Sequence, residues 1–202
     1  MKKEKLVCIG NSITNGFPFK RSQSFPSLIR EATGWEVINK GVNGETTEQV
    51  LFRFSKDVLA HNPDRVAILT GTNDFIFEVD TVKGASEKLK QMVGLAHQAN
   101  IQVLLMTPLL TLPKMAREAW MSTANVDYDG VNGQLKELGR ELLQYGEGFD
   151  FQKLFCLDLA SHYEIYMKKT SANQAYHDGL HPTVEGHCFL AQLILENWIN
   201  IR

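Results

Sequence analysis

Leu6-Val7-Cys8-Ile9-Gly10-Asn11-Ser12-Ile13-Thr14 joins four apolar residues to a glycine, two small polar residues and a point where a helix can begin. A short run that is apolar at every position, without alternation, reads as a strand covered on both faces, which is the pattern of a parallel sheet. Gly10 permits a tight path out of that strand. Similar runs recur at Trp35-Glu36-Val37-Ile38, Arg65-Val66-Ala67-Ile68-Leu69, Ile101-Gln102-Val103-Leu104-Leu105 and Leu154-Phe155-Cys156-Leu157. Five strands are therefore expected.

The segments between them carry helical spacing. Val50, Leu51, Phe54 and Val58 share one face, as do Leu89, Met92, Val93 and Ala96, and then Leu135, Leu138, Leu142 and Leu143. Thr46 followed by Gln49 has the form of a capping box at the start of the first of these. Thr183 to Ile201, with Cys188, Ala191, Ile194, Leu195 and Trp198 on one stripe, reads as a closing amphipathic helix. Strand then helix, repeated, predicts an α/β fold with helices on both faces of a parallel sheet, whose ligands bind beyond the carboxyl ends of the strands. The one long irregular stretch, Thr107 to Gly130, holds Pro108, Pro113, Trp120, Met121 and Tyr128 and follows the fourth strand, so it is expected to overhang that edge.

The 202 residues suit a single domain, 1–202, with one large core, and no repeat or interdomain linker interrupts them. With 44% hydrophobic and 22% charged residues the composition is that of a globular protein. A formal charge of -2 provides no electrostatic footprint for nucleic acid. Cys8, Cys156 and Cys188 form no CxxC pair and lie in apolar segments, so buried free thiols and a reducing, cytoplasmic setting are expected. The apolar run after Met1-Lys2-Lys3-Glu4-Lys5 is too short for a signal peptide, and no stretch approaches a membrane span. No HExxH, paired cysteines or other metal-ligand spacing occurs, and neither metal nor cofactor is expected.

Four polar islands follow the strand-like runs or precede helix-like ones: Gly10 to Thr14, Gly41-Val42-Asn43-Gly44-Glu45-Thr46, Gly71-Thr72-Asn73-Asp74 and Asp178-Gly179-Leu180-His181-Pro182. A serine nucleophile must stand at an exposed turn within reach of a base, and Ser12 does so, although a serine after a strand is as readily a helix N-cap. Among His61, His97, His162, His177, His181 and His187, only His181 has a carboxylate, Asp178, three residues away across a glycine. That spacing lets the carboxylate hold the imidazole tautomer. His177 is the competitor, although neighbours on an extended segment point to opposite sides. Acyl transfer also needs donors for an oxyanion, and Asn73 and the backbone N–H of Gly44 are suitable.

In this combination the chain resembles the GDSL, or SGNH, hydrolase family of esterases, thioesterases and lysophospholipases, with the four family blocks in order across residues 10 to 182. The resemblance implies a flavodoxin-like three-layer α/β/α sandwich built on a five-stranded parallel sheet. It implies Ser12 as nucleophile, His181 as base and Asp178 as its orienting group, with an oxyanion hole formed by the N–H groups of Ser12 and Gly44 and the side-chain amide of Asn73. Asn11 stands where the family's first block usually has aspartate, and Asp74, which matches the pattern, is read as structural.

A small-molecule ester is the expected substrate, with a small or medium acyl group held by Phe75, Leu109, Leu110 and Trp120. Phe17, Phe19, Phe77, Leu112 and Met115 lie in the same segments. Such apolar side chains would equally suit core packing or the interface of a homo-oligomer. A carbohydrate O-acetyl group is the rival substrate, since aromatic rings stack on sugar faces. A binding protein that has lost the chemistry would lack a member of the triad, and a nucleotide or flavin binder would need a glycine-rich first loop; the chain shows neither feature.

Overall fold

The structure of the protein, a computed structural model, describes residues 3–120 and 125–200. The chain runs through β1 (Lys5–Gly10), α1 (Ser12–Asn15), α2 (Phe25–Thr33), β2 (Glu36–Gly41), α3 (Thr47–Phe52) and α4 (Phe54–Asp57). It continues through β3 (Arg65–Leu69), α5 (Thr72–Ile76), α6 (Val82–Gln98), β4 (Gln102–Met106), α7 (Pro113–Ala119) and α8 (Tyr128–Gly146). Last come β5 (Leu154–Leu157), α9 (Leu159–Lys169), α10 (Ala172–Ala175) and α11 (Val184–Ile194), extended by a π-helical turn over Leu195–Ile199.

The five strands form one parallel sheet in the order β2-β1-β3-β4-β5. Successive residues of each strand face opposite sides, so the sheet divides the core in two. Val7, Ile9, Val66, Ile68, Val103 and Leu105 pack under α3, α4, α6 and α8, through Val50, Phe54, Leu89, Val93, Leu135 and Leu138 among others. Leu6, Cys8, Ala67, Leu69, Leu104 and Met106 pack on the other face under α2, α9 and α11. This is the expected flavodoxin-like α/β/α sandwich. The chain goes from β1 outward to β2 and then returns past β1 to β3, which opens a crevice at the carboxyl ends of β1 and β3.

Local readings shift in identifiable ways. The second strand begins at Glu36 and continues through Asn39, Lys40 and Gly41 rather than ending at Ile38, because an edge strand can carry polar residues on its open side. The helix expected around Val50 to Val58 is broken at Arg53 into α3 and α4, with Val50, Phe54 and Val58 buried and Leu51 half-buried. Thr107 to Gly130 is not wholly irregular. It contains α7, which buries only Ala116, and the start of α8. Met121 and Ile201 lie outside the described residues.

The thiols also differ from expectation. Cys8 is buried, Cys156 is half-buried and Cys188 is exposed, all three free. On α11 the inward stripe is His187, Leu190, Ala191, Ile194 and, one turn on, Trp198, which leaves Cys188 on the outer side. The helical period places residue 187, not 188, in line with 191, 194 and 198.

His187 is fully buried, and neither ring nitrogen has a hydrogen-bond partner among the described residues. Its ring stacks on Phe25 at 6.3 Å. Burial, with the nearby His181 adding to it, pushes its pKa down to about 4 from an ordinary 6.5. The unfolded chain therefore binds a proton that the folded chain refuses. Stability should fall as pH drops from 6.5 and level off below about 4, with a loss on the order of 3 kcal/mol assigned to this residue. Urea denaturation of wild type and His187→Leu at pH 7 and pH 4.5 tests this: the variant should lose less stability on acidification, and equal losses would contradict it.

Candidate active site

The crevice holds all four polar islands. At the end of β1 a Cβ on residue 10 would run into the Leu69 carbonyl oxygen and the Thr14 hydroxyl, so only glycine lets β1 turn this close to β3. Asn11 caps the short helix that follows, its Oδ1 accepting from Ile13 N–H at 3.4 Å, and Ser12 is the first helical residue rather than the cap. Asn39 of β2 holds the turn from the side, its amide donating to the Thr14 carbonyl at 2.7 Å and to Ser24 Oγ at 3.2 Å.

Ser12 Oγ lies 2.8 Å from His181 Nε2, and His181 Nδ1 lies 2.8 Å from Asp178 Oδ2. All three side chains are buried. Asp178 Oδ1 also accepts the backbone N–H groups of Leu180 at 2.9 Å and His181 at 2.8 Å, so the carboxylate folds the loop that carries its own partner. Burial pushes the Asp178 carboxyl up, and the hydrogen bond and charge of His181, with the two N–H groups, more than reverse it. The group is held below the usual carboxylate value and stays ionised opposite the imidazole.

The loop is fixed on its outer side as well. Tyr176 and Pro182 form an antiparallel bridge, and His177 N–H donates to the His181 carbonyl at 2.9 Å. Leu112 N–H donates to the Gly179 carbonyl at 2.8 Å, and Tyr176 Oη donates to the Leu110 carbonyl at 2.6 Å. The stretch after β4 thus buttresses the loop. His177 is exposed and packs its ring against Phe19, away from Ser12.

Across the crevice, the loop after β2 turns at Gly44, whose φ of +77° lies in the left-handed region that suits glycine. Asn15 donates to Asn43 Oδ1 at 2.8 Å, which ties this loop to the serine helix. Asn73, at the start of α5, donates its side-chain amide to the Glu45 carbonyl at 2.8 Å. One N–H of the amide is thereby held, and Asn73 also lines a cleft together with Ser12. The next residue, Asp74, is fully buried and accepts both Thr47 N–H, at 3.0 and 3.1 Å, and the Thr47 hydroxyl, at 2.9 Å. Burial raises its pKa although the Thr47 bonds pull the other way. Asp74 anchors the start of α3.

Ser12, Gly44, Asn73 and His181 open together on a cleft of about 430 Å3, completed by Phe17, Asn43, Ile76, Phe77, Trp120 and Leu180. No side chain in that lining carries a fixed charge. The His181 ring meets Phe17 at 4.9 Å and Trp120 at 5.8 Å. Of the four side chains expected to hold an acyl group, Trp120 lines the cleft and three do not. Phe75 is buried in the core beneath α5, Leu109 is buried on the other face of the sheet, and Leu110 packs half-buried against the core under α3, α4, α6 and α8. The helical turn of α5 aims Asn73, Ile76 and Phe77 at the cleft and Phe75 away from it. Ile76 and Leu180 carry no signal in the sequence beyond standing three residues after Asn73 and between Asp178 and His181. No group of three His, Cys, Asp or Glu side chains among the described residues is arranged to hold a metal ion.

Comparison with known proteins finds relatives that are esterases. The acetylxylan esterase of Geobacillus stearothermophilus is 27% identical over 222 residues, covering 98% of this chain and 97% of that one. The thioesterase 1/protease 1/lysophospholipase L1 of Escherichia coli K12 is 26% identical, covering 93% of this chain and 80% of that one. A crystal structure of a catalytic mutant of the Geobacillus acetylxylan esterase superposes with a TM-score of 0.76 at 22% identity, over 100% of this chain and 99% of the other, and at that identity shows the fold alone. The profile of the GDSL-like lipase/acylhydrolase family matches residues 8–188, and the chain belongs to that family.

Proposed function

We propose that the protein is a serine esterase for uncharged carboxylic esters of small or medium acyl groups, working through an acyl-Ser12 intermediate. The observation that carries the reading is the continuous line from Ser12 Oγ to His181 Nε2 and from His181 Nδ1 to Asp178 Oδ2, each step 2.8 Å, at the floor of an apolar cleft. His181 Nε2 takes the Ser12 proton as Oγ bonds to the ester carbonyl carbon. The resulting oxyanion accepts from Ser12 N–H, Gly44 N–H and the other amide N–H of Asn73. As the C–O bond breaks, His181 returns the proton to the leaving alcohol. Water then repeats the two steps, freeing the acid and Ser12.

The leaving oxygen must lie beside His181 Nε2 to receive that proton, so the alcohol part of the ester departs along the face lined by Phe17 and Trp120. Two rings there favour a flat-faced alcohol. That feature, with the acetylxylan esterase among the relatives, supports a second reading in which an acetylated carbohydrate is the substrate. The proposal takes the chain as one catalytic domain in a cytoplasmic setting, the latter supported by three free thiols, one of them exposed. Among the described residues no helix is long and apolar enough to cross a membrane.

Ser12→Ala should lose labelling by a fluorophosphonate probe and hydrolysis of p-nitrophenyl acetate while unfolding at the wild-type urea midpoint; full labelling of the variant would remove Ser12 from its role. Trp120→Ala should lower kcat/KM for phenyl acetate and for an acetylated pyranoside about tenfold more than for ethyl acetate, the equivalent of about 1.4 kcal/mol. Equal losses on all three esters would show that Trp120 does not meet the alcohol.

A further inference from the structure

The loop that carries Gly44 has little packing of its own. Val42, Asn43 and Gly44 are exposed, and Glu45 is half-buried. Its position therefore depends on a few anchors, and one side chain reaches both sides of the crevice. Arg53, at the break between α3 and α4, is only 12% exposed. Its Nη2 donates to the Gly10 carbonyl at 3.0 Å, its Nε to Glu45 Oε2 at 2.6 Å and its Nη1 to Asp57 Oδ2 at 2.9 Å. Gly10 is two residues before Ser12, and the main-chain carbonyl of Glu45 is the acceptor for Asn73.

We infer that Arg53 is a positioning residue for the oxyanion hole, acting through Glu45 on Asn73 and through Gly10 on the serine turn; the inference rests on the esterase reading above. An asparagine amide turns about its last side-chain bond unless one of its groups is held, and here the hold comes from the Glu45 carbonyl. Glu45 is in turn clamped by its carboxylate to Arg53. The guanidinium suits the task because its planar fork serves three acceptors in fixed directions.

The charges around it balance. Arg53 and Lys40 face Glu45 and Asp57, with Lys40 Nζ 3.1 Å from Asp57 Oδ1. Burial pushes the Asp57 carboxyl up, and the hydrogen bonds and charges of Arg53 and Lys40 outweigh it, so Asp57 stays ionised below the usual value. The clamp is thus a partly desolvated ion-pair network, in which removal of one partner leaves others uncompensated.

The test is steady-state kinetics on p-nitrophenyl acetate, with active sites counted by a fluorophosphonate burst, for wild type, Arg53→Gln, Arg53→Lys, Asn73→Ala and the Arg53→Gln/Asn73→Ala double variant. Asn73→Ala alone should lower kcat on the order of 10²-fold, as loss of an oxyanion donor does. Arg53→Gln should lower kcat per site about 10- to 100-fold with KM within about threefold, and Arg53→Lys should not recover it, because one ammonium cannot serve three divergent acceptors. On the Asn73→Ala background, Arg53→Gln should cost clearly less than it does alone, since its arm through Glu45 acts on Asn73 and only the arm through Gly10 remains. Wild-type kcat per site in Arg53→Gln, or losses that multiply in full, would overturn the proposal. If Arg53→Gln does not fold, Glu45→Ala takes its place and must show the same loss and the same non-additivity; wild-type kcat there overturns the proposal. A wild-type protein without Ser12-dependent turnover would overturn the esterase reading itself, and this inference with it.

Discussion

All five strands of a parallel sheet deliver their chain to one edge, and beyond that edge the ladder of backbone hydrogen bonds stops. The segments that leave it still carry N–H and C=O groups that must be paired where they are buried. In this protein side chains take over that role. Asn39 serves Thr14 and Gly41, Arg53 serves Gly10, Asn73 serves Glu45, Asp74 serves Thr47, and Asp178 serves Leu180 and His181. Two of these side chains, Asn73 and Asp178, belong to the candidate site itself. Holding the loops and building the site are one structural problem.

This economy explains the electrostatics of the crevice. Asp178 is buried yet ionised because three partners, two backbone N–H groups and the His181 ring through hydrogen bond and charge, compensate its loss of water. Asp74 accepts from Thr47 and from its own backbone rather than from an imidazole, and there burial, with the charge of Asp80, wins and its pKa rises. The two carboxyls sit at the same edge and differ in what faces them. One is turned toward an imidazole that opens on the cleft, the other toward the start of a helix, and their proposed roles divide accordingly into orienting a base and anchoring a loop.

The fold was legible because parallel strands are covered on both sides. Leu6 to Ile9 and Val66 to Ile68 are fully or almost fully buried and read as unbroken apolar runs. At the edge the rule relaxes, and β2 ran on through Asn39, Lys40 and Gly41, which no hydrophobic pattern reveals. Short helices were also hidden: α7 buries a single alanine, too little for a periodic signal. The polar residues of the candidate site were readable from their places, Ser12, Gly44 and Asn73 after strands and Asp178 and His181 before a helix. The cleft wall was not, since Phe75 and Phe77 look alike in sequence and only the turn of α5 sends one into the core and the other to the cleft. Arg53 was invisible for a different reason. Its partners lie 43, 8 and 4 residues away, and nothing local marks them as a set.

The central claim is that Ser12 carries the acyl group between the two halves of the reaction. Mixing the protein with p-nitrophenyl acetate, quenching in acid within the first turnover and mapping peptides by mass spectrometry tests it directly. The account predicts one acetyl group on Ser12 and none on protein unfolded before mixing. Release of p-nitrophenol with Ser12 unmodified, or with the acetyl group on another residue, would contradict it.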